Sequence, residues 1–496
     1  MILQYVDRER LERSIVWLSE VLEKSLVLEN TADYCYAPEW FANKYIFLKF
    51  HPKTRELIVH DGACAKVYAD GRLIYRYQMF DIFKPDGKRF GGDTWGVITN
   101  TEDSVFFGGF AYSDVSVSNN NLTFVNKYSH IHRIGSDGRT VDLLWYDGPG
   151  TNTVYKPEVT DMLYSPKENA IFFTRGDGGV DIWKLDLNTN QVTKVTDTGK
   201  SLLKMELFND MIITGGPDGY GSGGYIVIYN LKDNTTNIVT SVSGILIDST
   251  PRYMNGQVVQ YFDSIWIFGS GSVIIYSPKY NAFFQLPFFR FNKAYKVGGR
   301  RSQKAYVMGI PIIAVNQFDG NAEVRSPVGV IVRFDHPVPQ IIMPTGYVTG
   351  LETDGKYLYM GVAPQNTLYE FTEVNYQPGR GGVFAIPVSD IMRKPLAHVE
   401  FQDEVNNWVA GDYYLGVPIN GFSKRVLKVR APTSFTLRVA FYYMWPATIE
   451  NYGEYIDVNL SAGMNTIDLS SYDGMVAVAP TTNVSGITYI KLILEP

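Results

Sequence analysis

Seven residues of this 496-residue chain have side chains suited to binding a cation or a sugar, and they stand near the starts of successive predicted strands. They are Asp93, Trp95, Glu158, Asp161, Glu206, Arg252 and Glu352. Carboxylates bind cations or sugar hydroxyls, and an indole ring offers an apolar surface to a sugar. Asp93, Glu158 or Asp161 could act as acid and base in glycoside chemistry. A hydrated structural channel accounts for the same residues, and both interpretations stay open.

A second candidate is a pair of histidines. His130 and His132 are two residues apart on a predicted strand, so they share one face of it. Two imidazoles on one face bind a metal when a carboxylate joins them, and a hydrogen-bonded core pair is the alternative. The other four histidines are far away in sequence.

Motifs of known catalytic or cofactor sites are absent from the sequence. It contains no Gly-x-Ser-x-Gly, no His-Glu-x-x-His, no P-loop and no dinucleotide fingerprint. The glycine-rich run Gly219–Gly224 precedes a predicted strand, whereas a phosphate cradle precedes a helix. A formal net charge of −6 without a basic run disfavours nucleic acid. We therefore expect no cofactor and no nucleic-acid partner.

These candidate residues require a scaffold, and a recurring strand pattern predicts one. An acidic residue or Asn is often followed by a β-branched or aromatic run and then by Gly. Successive copies lie 41 to 66 residues apart, an all-β period typical of propeller blades of about 40–50 residues. The marker residues of the seven copies are Leu57, Val105, Ile171, Ile212, Ile265, Ile312 and Leu358.

Most markers are followed by two alternating strands joined by a turn rich in Asn, Asp, Gly or Pro, which is the hairpin signal. These pairs would form the two outer strands of each blade. We predict a seven-bladed β-propeller over residues 38–402. The hairpins are His130–Ile134 with Val141–Trp145, Val180–Leu185 with Gln191–Val195, Tyr225–Tyr229 with Thr236–Val239, Ser272–Tyr276 with Phe283–Leu286, and Gly329–Phe334 with Gln340–Met343.

The N-terminal segment, residues 1–37, has a different pattern. Leu11, Ile15, Leu18 and Leu22 follow helical spacing, and no Gly or Pro interrupts residues 7–28. This predicts an amphipathic helix with a linker. A lone helix of this length needs burial of its apolar face, either on its own propeller or on another subunit. We expect it to contribute to assembly.

The C-terminal segment, residues 403–496, lacks the blade pattern. Short alternating strands recur about every ten residues, which predicts an antiparallel β-sandwich. Phe435–Phe441 and Thr488–Leu494 alternate well enough to have one face in water. We interpret this segment as a separate domain.

The termini and cysteines restrict the location only weakly. Charged residues near the N-terminus argue against a conventional secretory signal, and no stretch has the ~20 apolar residues of a membrane span. Cys35 and Cys64 are either bonded or buried thiols. Four glycosylation sequons, at Asn121, Asn234, Asn459 and Asn483, are also expected by chance in β loops.

Several motifs together resemble a known family. They are Pro38–Trp40, Phe90–Val97, Val105–Gly109, Asn126–His132, Val159–Pro166 and Thr174–Gly178. In order and spacing they are similar to a domain-of-unknown-function family of hyperthermophilic, acid-loving archaea, over about residues 38–400. The resemblance implies a hot, acidic habitat and brings no catalytic residues with it. A helix and a sandwich added to such a propeller would suit a virion protein of an archaeal virus.

These observations lead to one expected function and one alternative. We expect a non-enzymatic binding or structural protein on an archaeal virus particle or cell surface, acting in host attachment or in capsid or tail decoration. Low charge and 34 Tyr residues suit such a surface. Its partners would be other structural subunits and a surface glycan or protein. The alternative is a carbohydrate-active hydrolase or lyase with a channel pocket, and the alternative location is the cytoplasm.

Overall fold

The structure is a computed structural model, and it describes most of the chain in separate stretches. The described residues are 26–27, 47–60, 64–69, 72–78, 92–118, 121–147, 157–176, 179–199, 202, 204–217, 224–239, 257–269, 271–291, 304–319, 324–334, 338–345, 348–362, 382–393, 395, 397–443 and 454–496. Leu11, Ile15, Leu18 and Leu22, on which the predicted N-terminal helix rests, lie outside them.

The described residues form 36 strands in nine four-stranded antiparallel sheets, together with one short helix, so the predicted all-β class is confirmed. The strands of the first four sheets in the chain, apart from β1 (Leu26–Val27), are β2 (Phe47–Phe50), β3 (Leu57–His60), β4 (Cys64–Ala69), β5 (Arg72–Gln78), β6 (Gly92–Asn100), β7 (Val105–Ser118), β8 (Asn121–Ile134), β9 (Val141–Tyr146), β10 (Glu158–Ser165), β11 (Ala170–Gly176), β12 (Asp181–Asp186), β13 (Gln191–Asp197), β14 (Lys204–Phe208), β15 (Met211–Pro217), β16 (Gly224–Asn230) and β17 (Thr235–Val239).

The next three sheets complete a series of seven. Their strands are β18 (Val258–Tyr261), β19 (Ser264–Phe268), β20 (Ser272–Ser277), β21 (Ala282–Pro287), β22 (Lys304–Val307), β23 (Ile310–Asp319), β24 (Val324–Arg333), β25 (Gln340–Thr345), β26 (Val348–Thr353), β27 (Tyr357–Val362) and β28 (Gly382–Pro387), followed by helix α1 (Val388–Ile391). The last of the seven has the order β1-β28-β27-β26, so a strand from the start of the chain supplies its fourth member.

All seven marker residues lie on the second strand of a sheet, from Leu57 on β3 to Leu358 on β27. These second strands are apolar on both faces because neighbouring sheets cover both. In β11 and β19 nearly every residue is buried, whereas the fourth strands β13 and β17 are largely exposed. The motif therefore marks a strand that is buried on both faces.

The Asn residues noted before several strands have a conformational role. Asn169, Asn190, Asn209, Asn234 and Asn281 all have positive φ, between 46° and 58°. Asn tolerates this left-handed conformation better than most residues with a side chain, and tight hairpin turns require it. The turns therefore account for the Asn that precedes these strands.

The first strands of the seven sheets bring consecutive sheets into contact. β2 contacts β6, β6 contacts β10, β10 contacts β14 and β14 contacts β18. β18 contacts β23 of the next sheet, β22 contacts β26, and β26 contacts β2 of the first sheet. Each sheet therefore packs on the next, and the seventh packs on the first.

Hydrogen bonds reinforce these contacts between sheets. His51 Nε2 donates to the carbonyl oxygen of Gly135 at 2.9 Å, which joins the first and second sheets. The side-chain Nδ2 of Asn316 donates to the Val348 carbonyl oxygen at 2.6 Å, and its Oδ1 accepts from the Val348 backbone N–H at 3.0 Å. These two hydrogen bonds join the sixth and seventh sheets. These buried groups are satisfied only when neighbouring sheets are docked.

The last 98 residues contain two further sheets. Their strands are β29 (Val399–Trp408), β30 (Tyr414–Pro418), β31 (Lys424–Ala431), β32 (Phe435–Tyr442), β33 (Glu454–Leu460), β34 (Gly463–Asp468), β35 (Met475–Pro480) and β36 (Val484–Glu495). The orders β29-β36-β31-β34 and β30-β35-β32-β33 are those of an eight-stranded jelly roll. The predicted boundary at residue 403 falls inside β29, whose pairing with β36 begins at Val399.

A short segment after β21 joins the fifth sheet to the jelly roll. Arg290 exchanges two backbone hydrogen bonds of 2.7 Å with Leu415 on the edge strand β30. The Arg290 side chain is buried, donates to Asp412 at 2.6 Å and lies 5.1 Å from the ring centre of Tyr414. The edge of β30 is thereby covered, which removes a site of unwanted strand pairing.

No helix among the described residues combines the length and the apolar character needed to cross a bilayer.

Gly416 on β30 allows the end of β21 to approach this edge strand closely. It has a φ of +65°, and a Cβ there would collide with the carbonyl oxygen of Pro287. We expect Gly416→Ala to lower the free energy of unfolding by about 2–5 kcal/mol, from left-handed strain plus the clash. Gly411→Ala is the matched control, because Gly411 has a φ of +73° with open space around its Cβ position.

Gly411→Ala should therefore cost only the conformational strain, about 1–2 kcal/mol. Denaturant unfolding of both variants measures the difference. Equal losses would show that the Pro287 contact is unimportant for stability.

Glu400 makes the jelly roll sensitive to acid. Its buried carboxylate lies 2.7 Å from Lys491 Nζ and 3.1 Å from His398 Nε2. Burial alone would raise the pKa of Glu400, but the hydrogen bonds from His398 and Lys491 outweigh it and lower the pKa to about 2. Because the folded pKa is depressed, the stabilisation is complete above the ordinary pKa of 4.5 and disappears as the pH falls towards 2.

We expect Glu400→Gln to lower the free energy of unfolding by about 1–3 kcal/mol at pH 6 and by much less at pH 2. Urea unfolding of wild type and variant at pH 6, 4, 3 and 2 measures this. A difference that is independent of pH would contradict a role for the ionised carboxylate.

Candidate functional site

The structure places most of the predicted channel residues on first strands of sheets. Glu158 and Asp161 lie on β10, Glu206 lies on β14 and Glu352 lies on β26. Asp93 and Trp95 lie on β6, where the structure describes only the backbone. Arg252 lies outside the described residues. Because first strands contact neighbouring sheets, Glu158, Asp161, Glu206 and Glu352 lie on strands at the contacts between sheets.

Asp161 binds the next sheet through two interactions. Its Oδ2 accepts a hydrogen bond of 2.8 Å from the backbone amide of Met205, and its Oδ1 lies 3.7 Å from Lys204 Nζ. Burial lowers the pKa of Lys204, and the charge of Asp161 opposes that shift. The carboxylate is thus both a cap for the start of β14 and the counter-ion of a buried lysine.

Glu206 is the centre of a second cluster. Its Oε2 accepts hydrogen bonds from Lys304 Nζ and, at 3.1 Å, from the Tyr306 hydroxyl. Burial and the charge of Glu206 raise the pKa of Tyr306, so that its hydroxyl remains a donor. Lys304 also donates to the Val258 carbonyl at 2.7 Å, and the Tyr306 oxygen accepts from the Gln260 amide at 3.1 Å. The cluster therefore spans the fourth, fifth and sixth sheets.

Glu352 has a similar position between the seventh and first sheets. Its Oε2 lies 2.9 Å from Lys49 Nζ, and its Oε1 accepts a hydrogen bond of 3.0 Å from the Thr353 amide. Glu158, at the start of β10, is also buried. Three of the predicted carboxylates, on β10, β14 and β26, therefore face an ammonium group.

This arrangement favours cohesion between sheets over chemistry. A glycoside hydrolase needs one protonated and one ionised carboxyl group on opposite sides of a substrate. Here Asp161, Glu206 and Glu352 each have a lysine partner from another sheet. Partly buried charges are costly unless they are paired, so these partners hold the sheets in register.

His130 and His132 lie together in the core of the second sheet. Their Nδ1 atoms are 3.1 Å apart, and the His132 ring stacks on Phe107 with centroids 5.1 Å apart. One Nδ1 must accept the hydrogen bond, so at least one imidazole of the pair is neutral. Across the described part of the chain, no group of three His, Cys, Asp or Glu side chains could hold a metal ion.

The lysines of the carboxylate clusters were not identified from the sequence, although a signal exists. Lys49, Lys204 and Lys304 each stand eight residues before a marker residue. The antiparallel turn between first and second strands fixes this distance, so the three ammonium groups recur at one level of their sheets. A charge that recurs with the repeat period indicates a contact between repeats.

The sequence of the seven sheets that contain these clusters matches a known family over much of its length. The sequence model of a family described as an uncharacterized protein conserved in archaea (DUF2139) matches residues 58–334, more than half of the chain. The chain belongs to this family. The inferred resemblance is thereby confirmed, and the matched segment runs from β3 to the residue after β24. Lys204, Glu206 and Lys304 lie within it, whereas the jelly roll lies outside it.

Other comparisons are less informative. No curated protein matches the chain significantly. Among solved structures, a chain of the "Crystal Structure of Mitotic Checkpoint Complex" aligns with 9% identity over 74% of this chain and 94% of that chain, with a TM-score of 0.43.

The Glu206–Lys304 pair offers a direct test of the cohesive role. We expect Glu206→Gln and Lys304→Met each to lower the free energy of unfolding by about 2–4 kcal/mol, because each leaves a partly buried charge without its partner. The double variant should lose less than the sum, with a coupling energy of about 1–3 kcal/mol. Chemical denaturation of all four proteins completes the cycle.

Lys167→Met is the control for this cycle. Lys167 pairs with Asp210 at 2.6 Å, but its side chain is 70% exposed. An exposed pair of this kind contributes less than about 1 kcal/mol. Additive losses at Glu206 and Lys304, or an equal loss at Lys167, would contradict the cohesive role.

Proposed function

We propose that this protein is a non-enzymatic binding or structural protein on the surface of an archaeal virus particle or an archaeal cell. Its role would be attachment or the decoration of a capsid or tail. The observation that carries the proposal is the pairing of Asp161, Glu206 and Glu352 with lysines of other sheets. These carboxylates serve as connections between sheets, which leaves the surface as the functional part of the molecule.

For the architecture, we propose a seven-bladed β-propeller. Three observations support it: seven four-stranded sheets precede the jelly roll, the first strand of each contacts the next sheet, and the seventh sheet contacts the first. Pairing of β1 with β28 adds a further reason, because it combines the two ends of the repeat region in one blade. Such a ring would leave only short, protected sheet edges.

The jelly roll provides a second, independent argument for a role at a surface. Eight-stranded jelly rolls occur in viral capsid and lectin domains, where they bind neighbouring subunits or glycans. Here the edge strand β30 is covered by Arg290, while the outer face of the β29-β36-β31-β34 sheet has exposed Tyr489 and Met464. Exposed aromatic and methionine side chains are enriched where proteins meet partners.

Two kinds of partner follow from the proposal. Other structural subunits would bind through the predicted helix with Leu11, Ile15, Leu18 and Leu22, or through the jelly roll. A glycan or a protein of the host surface would bind the exposed faces. A propeller that displays a jelly roll in this way presents a large rigid surface without a membrane-spanning helix among its described residues.

Location is the decisive measurement. Antibody against the protein should label purified virus particles or the cell envelope, and quantitative mass spectrometry should find most of it there. A protein found almost entirely in the cytosol would refute the proposal.

The hydrolase or lyase alternative has its own test. Wild-type protein and the variants Glu158→Gln and Asp161→Asn are incubated with archaeal surface polysaccharide, and new reducing or unsaturated ends are measured. We expect no turnover by any of the three. Turnover by wild type that the variants lose would establish the alternative.

A further inference from the structure

The outer face of the β29-β36-β31-β34 sheet has an unusual group of exposed side chains. Tyr489 and Arg430 are directly opposite each other on the two central strands, and Met464 is opposite Arg430 on β34. Tyr489 is 42% exposed and Met464 is 66% exposed. Lys428 lies on the same face, two residues before Arg430. We refer to Tyr489, Arg430, Met464 and Lys428 as the Tyr489 patch.

The two cations of this patch differ in ion pairing from the lysine beside them. Among the described residues, neither Arg430 nor Lys428 forms an ion pair with a carboxylate, and Arg430 instead lies 5.7 Å from the ring centre of Tyr489. The neighbouring Lys491, directly opposite Lys428, is neutralised by Glu400 at 2.7 Å. Glu404 is directly opposite Tyr489 on the other side, so Tyr489 lies between the positions of Glu404 and Arg430 in the sheet. Positive charge therefore remains beside an exposed aromatic ring.

The other sheet of the jelly roll contains an Arg–Tyr pair whose arginine does have a counter-ion. On β33 the exposed Tyr455 also has a guanidinium over its ring, that of Arg438 at 4.1 Å. Arg438, however, donates two hydrogen bonds of 2.8 Å to Asp457, which occupies its fork. The Arg–Tyr pair on one sheet thus includes an ion pair to a carboxylate, whereas the Arg–Tyr pair on the other sheet does not. Among the described side chains, no carboxylate stands at Arg430 as Asp457 does at Arg438.

We propose that the Tyr489 patch binds an acidic glycan, that is, a polysaccharide with carboxylate or sulfate groups. The Tyr489 ring would stack on the C–H face of one sugar, and Arg430 would bind the anionic group through its two-pronged hydrogen bonds. Lys428 would add positive charge, and its flexible side chain would not restrict the orientation of the anionic group. The proposal names a ligand for the surface-binding role inferred above, and it rests on that role.

The position of the patch distinguishes a glycan from a peptide. Peptides commonly add to a free strand edge or lie in a groove. Tyr489 and Arg430 stand on β36 and β31, which are the two inner strands of the sheet, so both have paired neighbours on each side. A paired, solvent-facing sheet surface with a ring suits a pyranose. Nonspecific attraction of polyanions is also disfavoured, because the whole chain has a net charge of −6.

The experiment uses full-length protein and three defined probes: polygalacturonate, heparin and neutral dextran. Binding is measured by isothermal titration calorimetry at 0.05 and 0.15 M NaCl. We expect one or both acidic polymers to bind, dextran not to bind, and affinity to fall with salt. Tyr489→Ala and Arg430→Gln should each weaken binding about tenfold, while Tyr455→Ala should leave it unchanged.

Polyglutamate, sedimentation velocity and thermal melting supply the controls. All variants should melt close to wild type, because the altered side chains are exposed. The proposal is overturned if wild type binds neither acidic polymer, if Tyr455→Ala loses as much affinity as Tyr489→Ala, or if polyglutamate binds as well as polygalacturonate irrespective of Tyr489. It is also overturned if Arg430→Gln dissociates a wild-type oligomer, which would make the patch an interface between copies. The location of the protein on particles or envelope is measured separately and can hold when glycan binding fails.

Discussion

The burial of both faces of each second strand is the constraint on which the rest of the structure depends. A strand such as β19, in which all five residues are buried, has no face for water and must lie between two other layers. One four-stranded sheet cannot satisfy that need by itself, so every sheet requires a neighbour. Polar groups at the contacts must then be paired across sheets, and the lysine–carboxylate pairs and the hydrogen bonds of His51 and Asn316 do this. The repetition of the sheets and the ionic contacts between them are consequences of one pattern of apolar residues.

This dependence also explains why Asp161, Glu206 and Glu352 pair with lysines of other sheets. A carboxylate at the start of a strand suggests ligand binding when it is considered in isolation. Beside a neighbouring sheet, the same group is the natural counter-ion for a lysine that the repeat places there. The outcome for Asp161 and Glu206 was decided by Lys204 and Lys304, which are 43 and 98 residues away in sequence. The jelly roll shows the converse, since Arg438 is directly opposite Asp457 whereas Arg430 is directly opposite Tyr489.

The sequence was sufficient to predict where strands occur, but it was insufficient to predict which strands pair with one another. Leu57, Val105 and the other markers predicted second strands correctly because local alternation and turn chemistry determine a strand. The two-residue β1 has no period of its own and was not predicted, since its place is set by β28, more than 350 residues later. The predicted boundary at residue 403 divided β29, because the register of this strand with β36 depends on the last residues of the chain. The lysines eight residues before the markers could have been found as a periodic charge.

The pairing of β1 with β28 has a consequence for how the chain reaches its native state. During synthesis residues 26–27 are made before their partners, residues 384–385, which follow more than 350 residues later in the chain. Until then the earlier sheets can collapse one on another, yet the first and last cannot be locked together. Contacts so distant in sequence slow folding and leave unpaired strand edges exposed in the meantime. The nascent protein therefore lacks the pairing of β1 with β28 until residues 384–385 have been made, and the last of the seven sheets is completed only then.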